Sequence, residues 1–155
     1  MDAYAKPFIA ECMFFFKSVL KIDLEEGSCF SLTDDNIPAK DITALVGLAG
    51  KARGAVAISM NKTLALKVVE KMTGTLFDDL NCDVSDALGE LVNIIAGRGK
   101  KYFENTLPMV ISVPTIIYGE KYLFSWQVPK PAIVCIPFKL FESEVLTLSV
   151  TISSI

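Results

Sequence analysis

The chain has 155 residues, enough for a single domain spanning residues 1–155 that holds its own core without a metal or a disulfide. Apolar residues make up 52% and charged residues 21%, with a mean hydropathy of +0.45, which excludes a disordered or collagen-like chain. The net charge of −3, from 15 basic and 18 acidic residues, gives no basis for electrostatic capture of nucleic acid, and the high apolar fraction points to a surface covered by a second chain.

Residues 4–20 read as a helix. Ile9, Met13, Phe16 and Leu20 recur at helical spacing, and Phe8, Phe14 and Phe15 widen the apolar face. Residues 29–33 read as a short strand and residues 34–38 as a loop. Residues 42–49 and 55–60 read as two strands of a hairpin, joined by a segment with Gly50 and Gly54 at its ends. A second helix is expected over residues 62–72, capped by Asn61 and stopped by Gly74, with Leu64, Val68 and Met72 inward. A long third helix is expected over residues 84–104, with Asp83 as its N-cap.

The remainder reads as strands, over residues 110–118, 122–126, 132–140 and 145–153, with a proline-rich loop at 128–131. The last alternates: Leu146, Leu148, Val150 and Ile152 on one face, Thr147, Ser149 and Thr151 on the other, the pattern of a strand with one buried face. Pro114 and Pro137 fall inside strands, which implies edges or bulges. Strands and helices come in runs, so the expected class is α+β, a largely antiparallel sheet with helices packed on one face.

No histidine is present. Ser-His-Asp and Cys-His catalysis are excluded, as are imidazole-built zinc sites, and no metal site of the chain's own is expected. Cys12, Cys29, Cys82 and Cys135 form no C-x-x-C pair, and each lies in or beside an apolar run. They read as small buried hydrophobes in a reducing compartment, with a disulfide or a thiol nucleophile as the lesser alternatives. The N-terminus lacks the pattern of a signal peptide, and no early apolar run approaches the roughly 20 residues that span a bilayer. A soluble cytoplasmic protein with no membrane partner is the expectation.

On a helical wheel the third helix places Val84, Leu88, Leu91, Val92 and Ile95 in one apolar sector. Asp86, Glu90, Asn93 and Gly97 share the opposite stripe, with Gly89 beside it. A carboxylate and an amide thus point outward one turn apart, flanked by bare backbone that would let another protein approach. Read alone, Glu-x-x-Asn is also an ordinary solvated helix face, and the glycines equally suit packing or a kink.

The segment from Asp86 to Gly97, DALGELVNIIAG, resembles the active-site helix of the CheC/CheX/FliY phosphatases of bacterial chemotaxis. Their motif is an Asp or Ser, three residues, Glu, two residues, Asn, and a downstream proline. Asp86, Glu90 and Asn93 match it, and SVPTIIYG around Pro114 is similar to the family's proline-containing strand. GLAG at Gly47 and GAVAIS at Gly54 resemble its early hairpin. The second helix carries Glu70-Lys71-Met72-Thr73 and no second acid-amide pair, so one site per chain, the CheX pattern, fits best.

The resemblance implies hydrolysis of the aspartyl phosphate of a phosphorylated CheY-like response regulator. Asn93 would align the attacking water and Glu90 would dock on the regulator's active-site lysine. Asp86, Gly89 and Gly97 would meet the partner. Mg²⁺ would be held by the regulator, with no cofactor of the chain's own. A homodimer is implied too, paired through strands near Pro114 and Pro137. Two other classes stay open: a non-catalytic module that binds a phosphorylated regulator, and a structural dimer module.

Overall fold

A computed structural model describes residues 3–32, 39–120 and 132–154. The expected strand at 122–126 and the expected loops at 34–38 and 128–131 lie outside the described residues. Helix α1 spans Lys6–Phe15 and runs into one π-helical turn, Phe16–Leu20, closed by Lys21 in the left-handed region (φ 60°). Strands β1 (Glu25–Glu26), β2 (Phe30–Leu32), β3 (Ile42–Gly50) and β4 (Ala52–Met60) follow. Then come α2 (Lys62–Thr73), α3 (Cys82–Gly99), a 3₁₀ turn (Lys100–Phe103), β5 (Met109–Ile111), β6 (Thr115–Tyr118), β7 (Ile133–Leu140) and β8 (Glu144–Ser154).

The strands pair antiparallel in one sheet of order β1-β7-β8-β4-β3-β5, with β2 also on β7 and β6 also on β3. The α+β class therefore holds. The β3–β4 hairpin is tighter than its two glycines imply, since the strands continue to Gly50 and Ala52 and leave Lys51 at the tip. Asn61 caps α2 as expected, its Oδ1 accepting from the Leu64 N–H at 2.8 Å, and Gly74 ends it at φ 74°.

The helices cover the sheet face that carries Val46, Val56, Ile58, Ile136, Phe138, Leu146 and Leu148, and all of these are buried. Within α1, Phe8, Ile9, Cys12, Phe15 and Phe16 turn inward. Phe14 does not: it is 57% exposed and lies 6.0 Å from the Arg98 guanidinium, so the apolar face of α1 is narrower than the sequence implies. The α2 stripe is shifted too, with Leu64, Ala65, Val68 and Val69 buried and Met72 only half-buried.

The reading of one buried face for the last strand needs correction. Thr147, Ser149 and Thr151 are buried like Leu148 and Val150 between them, at 8%, 3% and 3% exposure. On the same face Thr43 and Ser59 are buried and hydrogen-bonded to each other at 3.0 Å, beside a second apolar cluster that includes Leu45, Ala55, Ala57 and Cys135. Short hydroxyl side chains sit in such an interior at little cost when they find partners, as Ser149 Oγ does at Cys135 Sγ (3.7 Å), whereas the buried Thr151 Oγ1 has none among the described residues.

Both proline expectations hold. Pro137 faces the discontinuity between β1 and β2, and its carbonyl accepts from the Gly27 N–H at 2.8 Å. Pro114 lies where the expected strand over 110–118 breaks into β5 and β6. β3 pairs Leu48 with Ile111 but Leu45 with Thr115, so the edge gains one residue in between, a bulge that a proline tolerates.

Candidate active site

α3 begins earlier than expected. Its N-cap is Asn81, whose Oδ1 accepts from the Val84 N–H at 3.0 Å, and Asp83 falls in the first turn. The helix runs to Gly99, and the stretch expected to continue it tightens into the 3₁₀ turn. Inward it buries Val84, Leu88, Leu91, Val92, Ile95 and Ala96. Burial of each of the larger residues contributes about 1.5–3 kcal/mol, so the rotation of α3 about its axis is firmly set.

That rotation turns Asp86 and Glu90 to solvent and leaves Asn93 and Gly97 half-covered. Among the described residues, the side chains of Asp86, Glu90 and Asn93 have no hydrogen-bond or ion-pair partner. With Asn81 as the cap, Asp86 stands in the second turn. The macrodipole acts mainly within the first turn, so a capping duty for Asp86 is weak and a surface role is the stronger one. Glu90 projects straight outward, whereas Asn93, 60° away on the wheel at 100° per residue, leans toward the β5–β6 edge.

Gly89 stands off the exposed stripe of α3. It is buried, and a Cβ built on it would stand 3.3 Å from Pro114 Cβ and 3.7 Å from Pro114 Cγ. Its bare Cα accommodates a ring of its own chain and is unavailable to a partner. Gly97, two turns on, has Ile111 Cδ1 at 3.8 Å from a built Cβ, an ordinary contact, and keeps an open side. A third glycine, Gly99, serves the core, where the Phe8 ring fills its place.

Sequence reading missed the residues that anchor the edge beside α3. The Ser112 N–H donates to the Gly47 carbonyl at 2.9 Å, and Ser112 Oγ accepts from the Gly47 N–H at 2.8 Å. Ser85 and Tyr118 hydrogen-bond through their hydroxyls, tying β6 to the start of α3. No local pattern marks these pairs, which lie 65 and 33 residues apart in the chain. Val113, at the tip of the bulge, is 85% exposed.

The cysteine reading holds for Cys12 and Cys135, which are buried, and burial pushes both thiols up. It fails for Cys82, which opens α3 at the surface one turn before Asp86. Among the described residues, no group of three or more Cys, Asp and Glu side chains is placed to hold a metal ion. The site thus offers a carboxylate, an amide and a nearby apolar rim, which suits positioning a water and gripping a partner but supplies no strong base.

The family model described as chemotaxis phosphatase CheX matches residues 42–139, a stretch that contains α3 and the β5–β6 edge. The CheY-P phosphatase CheX of Thermotoga maritima is 28% identical over 141 residues, covering 89% of this chain and 88% of that protein. A CheC-like superfamily protein from Shewanella superposes with a TM-score of 0.85 at 20% identity, covering 99% of this chain and all of the other. CheX from Borrelia burgdorferi, solved as a complex with CheY, BeF₃ and Mg²⁺, superposes with a TM-score of 0.79 at 24% identity, covering 99% and 100% of the two chains.

Proposed function

The chain belongs to the chemotaxis phosphatase CheX family, and from that premise we propose that it hydrolyses the aspartyl phosphate of a CheY-like response regulator at the face of α3. One observation carries the site: Glu90, exposed, and Asn93, half-covered, stand one turn apart on one side of α3, and their side chains are engaged by nothing else among the described residues. The relative from Thermotoga is named as a CheY-P phosphatase, and the one from Borrelia is solved with CheY.

An acyl phosphate is already activated, so its hydrolysis chiefly requires an aligned water and stabilised phosphoryl charge. Asn93 supplies the alignment. Its amide carbonyl accepts a hydrogen bond from the water and holds it in line, although it is too weak a base to remove the proton. Glu90 supplies the register by a charge-assisted contact to the regulator's active-site lysine. Asp86 and Gly97 border the same contact. Mg²⁺ enters with the regulator, as part of the substrate, and this chain's residues hold the partner and the water.

The same reading includes a cytoplasmic location, where such regulators act, and a homodimer. No helix among the described residues is long and apolar enough to cross a membrane. In support of the dimer, Val110, Val113 and Tyr118 expose large side chains along the β5–β6 edge, which among the described residues has a strand partner only in β3.

Single-turnover release of phosphate from a phosphorylated CheY-type regulator tests the function. Asn93→Ala should slow it at least ~10²-fold, on the order of 3 kcal/mol of transition-state stabilisation, while leaving regulator binding nearly intact. Binding of the regulator without any acceleration of phosphate loss would replace the phosphatase with a sequestering module.

A further inference from the structure

Gly89, Asn93 and Gly97 follow one another at four-residue spacing, so they form one row along α3. The two ends of the row meet the edge strand, Gly89 at Pro114 and Gly97 at Ile111. Asn93 therefore lies level with the irregular stretch between β5 and β6. That stretch carries the one-residue offset in register against β3, and it is pinned on its far side by the paired hydrogen bonds between Ser112 and Gly47.

We propose that Gly89 is a positioning residue for the phosphatase reaction, an inference that rests on the function assigned to α3 above. Its bare Cα lets the Pro114 ring seat the bulge directly against the helix, one turn before Asn93. The seat sets the distance between α3 and the edge, and so the depth at which the Asn93 amide meets the phosphoryl group. A glycine in a helix interior lowers helix stability relative to alanine, so its place here reflects the contact and not the helix. A Cβ at 3.3 Å from Pro114 Cβ forces the two elements apart by a few tenths of an ångström. Alignment of a reacting water is sensitive to shifts of this kind, since about 1 Å of misplacement can cost ~10²-fold.

The test is a double-mutant cycle on the full chain, with steady-state dephosphorylation of a phosphorylated CheY-type regulator as the readout. Gly89→Ala should lower kcat about ten-fold and leave KM within about two-fold, with the urea midpoint little changed. Pro114→Gly removes the ring. In that background Gly89→Ala should cost nothing further, because the added methyl then meets only Ile116 Cδ1, at an ordinary contact distance of 3.8 Å. Wild-type turnover in Gly89→Ala, a loss confined to KM, or the same ten-fold loss with and without Pro114 would each overturn the inference while the function stands. A wild-type chain that releases no phosphate overturns the functional reading, and this inference with it.

Discussion

The ring of Phe8 occupies the place where a side chain at Gly99 would be: a Cβ built on Gly99 would stand 2.3 Å from Phe8 Cδ1. Phe8 is fully buried and stacks on Phe103 with ring centroids 6.1 Å apart, so it has nowhere to retreat. This contact joins α1 to the end of α3 and holds the axis of that helix.

Gly99→Ala should therefore destabilise the protein by about 1–3 kcal/mol, the usual range for overpacking a core. Gly97→Ala should do the opposite. Its Cβ meets only Ile111 at contact distance, and alanine is about 1 kcal/mol better than glycine in a helix interior. Urea denaturation of the two variants checks the contrast. In phosphatase assays Gly97→Ala should raise KM, because the methyl intrudes on the proposed contact with the regulator.

The four thiols should separate by reactivity. Cys82 is exposed at the first residue of α3 and should react promptly with a thiol reagent under native conditions. Cys12 and Cys135 are buried, and burial raises the ionisation of both thiols above its ordinary value, so little thiolate is available at neutral pH. They should label only on unfolding, with half-buried Cys29 between these extremes. Mass spectrometry of tryptic peptides after timed alkylation gives the order. Rapid native labelling of Cys12 would contradict the packing of α1 described above.

Much of the fold could be read from residues whose meaning is local. Asn61 and Gly74 bracket α2 because a cap and a left-handed stop are decided within one turn. The start of α3 was harder, since Asn81 and Asp83 are both capping types and only the bond to the Val84 N–H decides between them. The hydroxyls of β8 misled because alternation records polarity, not cover. At the site, helical spacing places Asp86, Glu90 and Asn93 outward, which is found for the first two, while Asn93 is half-covered. It says nothing of what lies beside a helix, and the neighbour of Gly89 is 25 positions along the chain at Pro114.

The cap of α3 offers a third test. Asn81→Ala removes the acceptor for the Val84 N–H and should cost about 1 kcal/mol of stability. Asn81→Asp should restore it, since a carboxylate caps equally well and complements the helix N-terminus. Thermal melts of the two variants check the pair. Activity should change little in either, because Glu90 and Asn93 lie two or more turns further along.

Glu90 and Asn93 should fail in different ways. The side chain of Glu90 faces solvent and belongs to no part of the core, so replacing it should leave folding intact. In the proposed reaction its carboxylate meets a lysine of the regulator. Glu90→Ala should raise KM and also lower turnover, since the same contact sets the register on which Asn93 depends. Glu90→Gln keeps the shape and loses the charge, so its remaining activity should depend less on salt than that of the wild type. Glu90→Lys should be the worst of the three, because it sets two ammonium groups against each other. Steady-state kinetics at two ionic strengths, with circular dichroism to confirm folding, separate these outcomes. A Glu90→Lys variant with wild-type KM would remove Glu90 from the interface and require the regulator's lysine to be met elsewhere on α3.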